Sequence, residues 1–435
     1  MMDVTGGDGG VADPGREAWR PRLLFLCQTL PYPPDSGVHN RSYNVLRQLA
    51  RGFDVTAGCF YRRASRNTPE AVRTGLDGMR RIGPTEAFPI PQEHSTARLL
   101  FDHLRSLVTR TVYTRFVHES EAFSTWLDHE LSRADFDIVH VDSLDLSGYI
   151  TRLEGLPVAC THHNCEHELL ARRAAAERNP LKRAYLALQS RLSEEEAREW
   201  CPRVALNVTV SERDRDALEA VAPGSEFLVV ENGVDTSYFT PGDAARHEGA
   251  SNAPPRLVFV GSHGWYPNRD AMEFFGHEIL PRVREALGEV DVTWVGRASP
   301  DVRTRFERRH GIHLTGYVDD VRPYVRSATC YVAPLRLGGG TRLKILDAWA
   351  MGAAVVSTRI GCEGLHTLPG ENIAIAEDAD AFVDAVVTLV RDRGLRERIG
   401  RGGRDTAVRR YEWEVLGYRM LERYLDIATD SGPSA

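Results

Sequence analysis

The stretch Leu337-Gly-Gly-Gly-Thr-Arg-Leu-Lys-Ile-Leu-Asp-Ala-Trp-Ala-Met-Gly-Ala-Ala-Val-Val-Ser357 carries the reading of this chain. Its three glycines leave backbone N–H groups open to a ligand. Arg342 and Lys344 add positive charge, and an amphipathic helix over 342–351 follows, bearing Asp347. A strand over 353–357 begins almost at once. A glycine loop running into a helix suits a diphosphate, because unpaired N–H groups and the helix dipole both favour negative charge there.

Working outward, the pattern repeats. Strands are expected at 256–261, 291–295, 312–315 and 329–333, with a helix over 269–286. In the first half, an apolar run over 22–28 switches to the turn-rich Leu30-Pro-Tyr-Pro-Pro-Asp-Ser-Gly37. A helical spacing of Tyr43, Leu46 and Leu49 follows, then strand character over 55–60. Further strands are expected at 138–141, 157–161 and 204–210, with a long helix over 179–200. Strand–loop–helix–strand alternation marks a parallel sheet covered by helices. Two such units predict an α/β fold with two Rossmann-like parallel-sheet domains facing a central cleft.

The expected boundaries are a disordered leader over 1–20, an N-terminal domain over 21–240, a linker over 241–255 and a C-terminal domain over 256–410. A final helix over 411–430 carries Trp413, Leu416, Tyr418 and Leu421 at helical spacing, which suits packing back toward the N-terminal domain. Another helix is expected over 380–398. A chain of 435 residues is long enough for two cores.

Composition narrows the class. Hydrophobic residues at 42% and charged residues at 26% describe an ordinary globular protein. A net charge of −7 argues against a nucleic-acid partner. No stretch reads as a signal peptide or membrane span, although an apolar patch on the N-terminal half would permit peripheral membrane contact. The seven cysteines are scattered, and Cys27, Cys160, Cys201 and Cys330 lie in or beside apolar segments as expected for buried thiols. A cytoplasmic location is the simplest reading; the sequence leaves the oligomeric state open. Neither G-x-G-x-x-G after the first strand nor G-x-x-x-x-G-K-[ST] is present, which disfavours a nicotinamide dehydrogenase and a P-loop kinase.

Several separated segments resemble glycosyltransferase family 4, whose members have the GT-B architecture. They are Ala333 to Gly352 with Val355-Val-Ser-Thr358, Asn232-Gly-Val-Asp235, Phe259-Val-Gly-Ser262 with Pro267-Asn268, and Gly316-Tyr-Val-Asp319. The resemblance covers roughly residues 22–425 and implies a retaining transfer from a nucleoside-diphosphate sugar to a small-molecule or glycan acceptor, with no tightly bound cofactor and no metal. It implies that Gly261 and Ser262 approach the phosphates, Tyr317 and Val318 flank the base, and Gly339, Gly340 and Thr341 cradle sugar and diphosphate. Arg342 and Lys344 would neutralise the leaving group, where fixed cations help most. Asp347 would face the ribose. The family usually carries two glutamates across this segment; here the positions are Gly339 and Asp347, so the donor sugar is not legible by carry-over.

On the acceptor side, Gly37 would allow close approach of donor phosphate, and Ser36, His39 and Arg41 would border the reaction centre. His140 and Asp142 leave the strand end together, and spacing does not choose which of them takes the catalytic role. Thr161-His-His-Asn-Cys-Glu-His167 invites a zinc reading, but a dense polar string does not establish tetrahedral geometry; His163, Asn164 and Glu166 are read instead as substrate-facing. Arg172 and Arg173 would meet an acidic acceptor or lie solvated. A sugar-nucleotide epimerase of the same architecture and a non-catalytic nucleotide-sugar sensor are the alternatives.

Overall fold

A computed structural model describes residues 20–34, 36–62, 68–242, 253–338 and 343–430. It contains two parallel sheets. The first is built from β1 (Arg22–Cys27), β2 (Asp54–Tyr61), β3 (Thr85–Pro89), β4 (Ile138–Asp142), β5 (Val158–His162), β6 (Leu206–Thr209) and β7 (Phe227–Val229), in the order β3-β2-β1-β4-β5-β6-β7. The second holds β8 (Arg256–Val260), β9 (Asp291–Val295), β10 (Ile312–Leu314), β11 (Cys330–Ala333), β12 (Val355–Ser357) and β13 (Ala374–Ile375), in the order β10-β9-β8-β11-β12-β13. Every ladder pair is parallel. The order reverses between β1 and β4 in one sheet and between β8 and β11 in the other. Parallel sheets open a ligand crevice at the carboxyl ends of such neighbours.

The central strands read as near-continuous apolar runs because helices cover both faces. Leu23 and Phe25 point into one core while Leu24 and Leu26 point into the other. Helix starts are set by side chains that satisfy the first free N–H groups: Ser36, Ser95, Ser120, Asn179, Ser211 and Asp378 all accept a backbone hydrogen bond there. Asp392 caps a second helix, Arg393–Thr406, so the helix expected over 380–398 is two helices, Ala379–Arg391 and its neighbour. The one expected over 269–286 is likewise interrupted, by a π-helical turn over Phe275–Ile279.

The chain crosses between the halves twice. The outgoing segment lies beside the returning one: the Val234 amide donates to the Tyr411 carbonyl at 2.7 Å, and the Thr236 amide donates to Glu412 at 3.0 Å. Arg404 donates to the Thr236 and Phe239 carbonyls, and Arg326 to the carbonyl of Thr240. Beyond the crossing, the Trp413–Asp430 helix buries Trp413, Leu416, Met420, Tyr424 and Ile427 in the first half's core. Among the described residues no helix is long and apolar enough to cross a membrane.

Candidate active site

At the reversal point of the first sheet, β4 ends in His140-Val-Asp142. Alternation sends Val139 and Val141 into one core and turns His140 and Asp142 to the other face. Both are fully buried. Asp142 Oδ2 accepts from the Ser42 hydroxyl at 2.6 Å and the Cys27 thiol at 3.2 Å. Its Oδ1 faces two imidazoles, His163 Nε2 at 3.1 Å and His140 Nε2 at 3.7 Å, with neither contact aligned as a hydrogen bond. Burial alone would push the Asp142 carboxyl up, but the two imidazoles outweigh it and hold the group well below the usual carboxylate range.

The two imidazoles differ. His140 stacks on Phe25, with ring centroids 4.3 Å apart, and its Nδ1 lies 2.8 Å from the Tyr424 hydroxyl of the last helix. Burial lowers its pKa. His163, just past the end of β5, keeps 8% of its side chain exposed. The histidine at the groove is therefore on β5's exit, with Asp142 behind it.

The loop after β1 leads into the Gly37–Leu49 helix. Ser36 caps this helix, accepting from the His39 amide, and His39 Nε2 pairs with the Thr29 hydroxyl at 2.9 Å. A Cβ on Gly37 would stand 3.5 Å from Leu343 of the other half, so the two halves meet here. Arg41, expected to face an acceptor, is instead 1% exposed. It donates to the Val230 carbonyl at 2.8 Å, the Glu231 carbonyl at 3.3 Å and Asn232 Oδ1 at 3.2 Å. Burial lowers its pKa to about 10. Through one nitrogen its guanidinium ties the start of the outgoing crossing to the first half.

The histidine-rich string disperses. His162 is buried against Asn207 Oδ1 at 2.9 Å, His163 faces Asp142, and His167 lies against the Cys165 thiol. Asn164 donates to Glu166 at 3.2 Å. Desolvation pushes the Glu166 carboxyl up to about 7, and the charge of Asp145 adds to the rise. Arg172 lies 3.7 Å from Glu363 of the second half, and Arg213 also pairs with Glu363 while holding Glu168 at 3.0 Å.

Across the groove, Gly261 follows the first strand of the second sheet. A Cβ there would collide with the Phe259 ring at 2.6 Å and with Asn268 at 2.8 Å, so only glycine fits. Asn268 donates to the Ser262 carbonyl at 2.8 Å and accepts from Lys344 Nζ at 2.8 Å. The same ammonium stands 4.5 Å over the Phe259 ring. One helical turn on, burial pushes the Asp347 carboxyl up to about 7, with Lys344 opposing the rise. Tyr317 is 58% exposed, and the Arg297 guanidinium lies 4.6 Å over its ring. Val318 packs on the core. Gly339, Gly340, Thr341 and Arg342 lie outside the described residues, as do most of the expected leader and linker. Sequence reading passed over Asn268 and Arg297. Asn268 was visible within the Pro267-Asn268 pair, whereas nothing in the sequence pairs Arg297 with Tyr317.

With this geometry in place, comparisons with known proteins decide the family. Residues 36–238 match the model for Glycosyltransferase Family 4, and residues 254–392 match that for Glycosyl transferases group 1. The chain belongs to glycosyltransferase family 4. It is a retaining glycosyltransferase of GT-B architecture. A phosphatidyl-myo-inositol mannosyltransferase of Mycobacterium leprae is 26% identical over 360 residues, 80% of this chain and 84% of that protein. The fold is similar to sucrose-phosphate synthase from Thermosynechococcus elongatus, with TM-score 0.67, 14% identity, and coverage of 94% of this chain and 100% of that one. It is also similar to Anabaena HepE in complex with UDP, with TM-score 0.63, 13% identity and coverage of 93% and 100%.

Proposed function

We propose that this family 4 transferase takes its sugar from a nucleoside diphosphate held on the second half and passes it to an acceptor hydroxyl lodged against the first. The observation that carries the reading is the Lys344–Asn268–Ser262 chain. It fixes an ammonium beside the glycine turn where a diphosphate would lie, and a fixed cation stabilises the departing group without reorganisation. Gly339, Gly340, Thr341 and Arg342 would complete that cradle by the family resemblance. Asp347 would receive the ribose, and the Tyr317–Arg297 pair would border the base.

On the opposite wall, Ser36 and His39 border the acceptor's entry, Asn164 and Glu166 line it, and His163, whose Nε2 faces Asp142, would turn the other edge of its imidazole to the groove. In the transfer, the bond from the anomeric carbon to the diphosphate oxygen breaks and the acceptor oxygen bonds to that carbon on the same face. The acceptor proton passes to an oxygen of the departing diphosphate. His163 orients the acceptor hydroxyl; no protein nucleophile is needed.

The test is a panel of UDP-, GDP- and dTDP-sugars, read first by thermal shift and then by product mass with candidate acceptors. The M. leprae relative's name makes a mannosyl donor and phosphatidylinositol the first pair to try. Stabilisation by one donor that disappears in Lys344→Ala supports the site. Turnover of the donor without any acceptor would favour an epimerase, and tight binding without any turnover a sensor.

A further inference from the structure

The Thr96–Thr109 helix is built inside out. Its protein-facing side is polar: Asp102 and Ser106 are fully buried. Asp102 accepts from Gln92 at 3.1 Å and Arg98 at 3.3 Å, while Ser106 accepts from Gln189 at 2.9 Å and donates to the Thr111 carbonyl at 2.7 Å. Arg98 and Arg105 are both tied down to Glu119. The outward side is apolar: Leu100, Phe101 and Leu104 are each about 60% exposed, Val108 is 83% exposed, and Leu99 and Leu107 join them. At about 100° per residue, these six side chains sweep an arc of about 200°. A monomer surface rarely leaves so large a contiguous apolar patch bare.

We infer that this helix is a docking face for a lipid bilayer. Three observations select that occupant. The arc is convex and far wider than the narrow stripe a second helix would cover, whereas a fluid acyl phase fits any convex shape. With 14 residues the helix is about 21 Å long, too short to span and suited to lying along the interface. The rim is cationic although the whole chain carries −7. Arg110 ends the helix exposed, and Arg178, Lys182 and Arg183 stand exposed around the start of the Pro180–Trp200 helix, against Glu177 alone on that turn. That second helix is joined to the first through the Tyr185 hydroxyl and His103, 2.5 Å apart, and it adds Leu181, itself 83% exposed.

The face also leads to the groove. Tyr113 stacks on His103 with ring centroids 4.5 Å apart, and its hydroxyl sits in the field of Asp145, Arg173 and Glu166. An acceptor anchored in the bilayer would thus have its head group beside the acceptor wall. The inference extends the transferase reading to a membrane-borne acceptor, but its test involves neither donor nor turnover.

The full-length protein is floated with vesicles of phosphatidylcholine alone and of phosphatidylcholine with phosphatidylglycerol, at low and high salt. Wild-type protein is expected to float with the anionic vesicles, less so in high salt. Phe101→Asp and Leu104→Asp are each expected to cut the partition coefficient at least ~10-fold, and Arg110→Glu about 5-fold. All three positions are exposed, and unchanged melting temperatures confirm that the variants fold. Wild-type protein that stays in solution with both vesicle types overturns the inference, as does binding that survives both apolar substitutions. A wild-type dimer that Leu104→Asp converts to monomer, with no vesicle binding, assigns the face to a second copy instead.

Discussion

Two aspartates, one at the groove edge of each half, sit in opposite electrostatic states. Asp142 has a hydroxyl, a thiol and two imidazoles around it, and its charge is favoured despite full burial. Asp347 has Lys344 as its opposing charge, and that ammonium is already shared with Asn268 and the Phe259 face, so burial prevails and the carboxyl rises to about 7. Burial does not decide a carboxylate's state; the number and aim of the groups around it do. The first site has its charge partners in place before any ligand arrives, although Asp142 Oδ1 and the two imidazole Nε2 atoms lack an aligned hydrogen bond. The second holds a proton in reserve and is suited to exchanging it for a ligand's hydroxyl.

The strongest way to break this contrast is Asp142→Ala. It leaves Ser42 and both imidazoles facing an apolar methyl in a buried site, so a loss of about 3–5 kcal/mol in denaturant unfolding at pH 7 is expected. Asp142 also gives the protein a pH signature. Because its folded pKa lies below the unfolded value, its stabilisation is complete above about pH 4 and fades as pH falls through the folded value. The variant's unfolding should therefore be less acid-sensitive than that of wild type. Equal acid sensitivity in both would remove Asp142 as the source of that signature.

Lys344→Ala comes next, with an expected fall in turnover of about 10²–10³-fold at saturating acceptor and little change in the unfolding midpoint. The loss should persist at saturating donor, because it concerns the leaving group. A defect confined to the donor KM would reduce Lys344 to a binding contact.

Asp347→Asn sharpens the comparison from the other side. A carboxyl raised to about 7 costs stability once ionised, so the wild-type contribution falls as pH rises from the unfolded value near 4 through 7. Removing that group should flatten the melting temperature between pH 5 and 8 and cut donor affinity by roughly 10-fold or less. Thermal melts across pH, with and without donor, read both effects.

The smallest effect is expected at Glu196, buried behind the segment that follows β4. Its carboxyl accepts from the Ser147 hydroxyl at 2.7 Å, and burial pushes it up to about 8. Glu196→Gln should stabilise the protein at pH 8 by about 1 kcal/mol or more, with the gain vanishing below about pH 4, and turnover unaffected. A change in turnover would connect this group to the site after all.

Most strands at the two reversal points were legible because short apolar runs meet turn-rich loops there, as in Arg22–Cys27 before Leu30-Pro-Tyr-Pro-Pro and Arg256–Val260 before Gly261. The outer strands were not. Thr85–Pro89 mixes polar residues with a proline, Phe227–Val229 spans three residues and Ala374–Ile375 two, so none carries a period long enough to read. At the site, the sequence marked Lys344 and Asp347 by their place on a helix. It could not separate His140 from Asp142, because both leave one strand on the same face and only the partners from β5 and the last helix tell them apart. Arg41 misled for a related reason: its carbonyl partners lie about 190 residues away. The Thr96–Thr109 helix shows that amphipathic spacing gives a helix its stripe but not the direction the stripe faces.

The adjacent crossings at Val234 and Tyr411 have a mechanical consequence. The two crossings are joined to each other by a backbone hydrogen bond, so any motion of the halves that pulls the crossings apart has to break it. Glu363 with Arg172 and Arg213 forms a second tie between the halves, so widening the groove at that edge has to part those ion pairs as well.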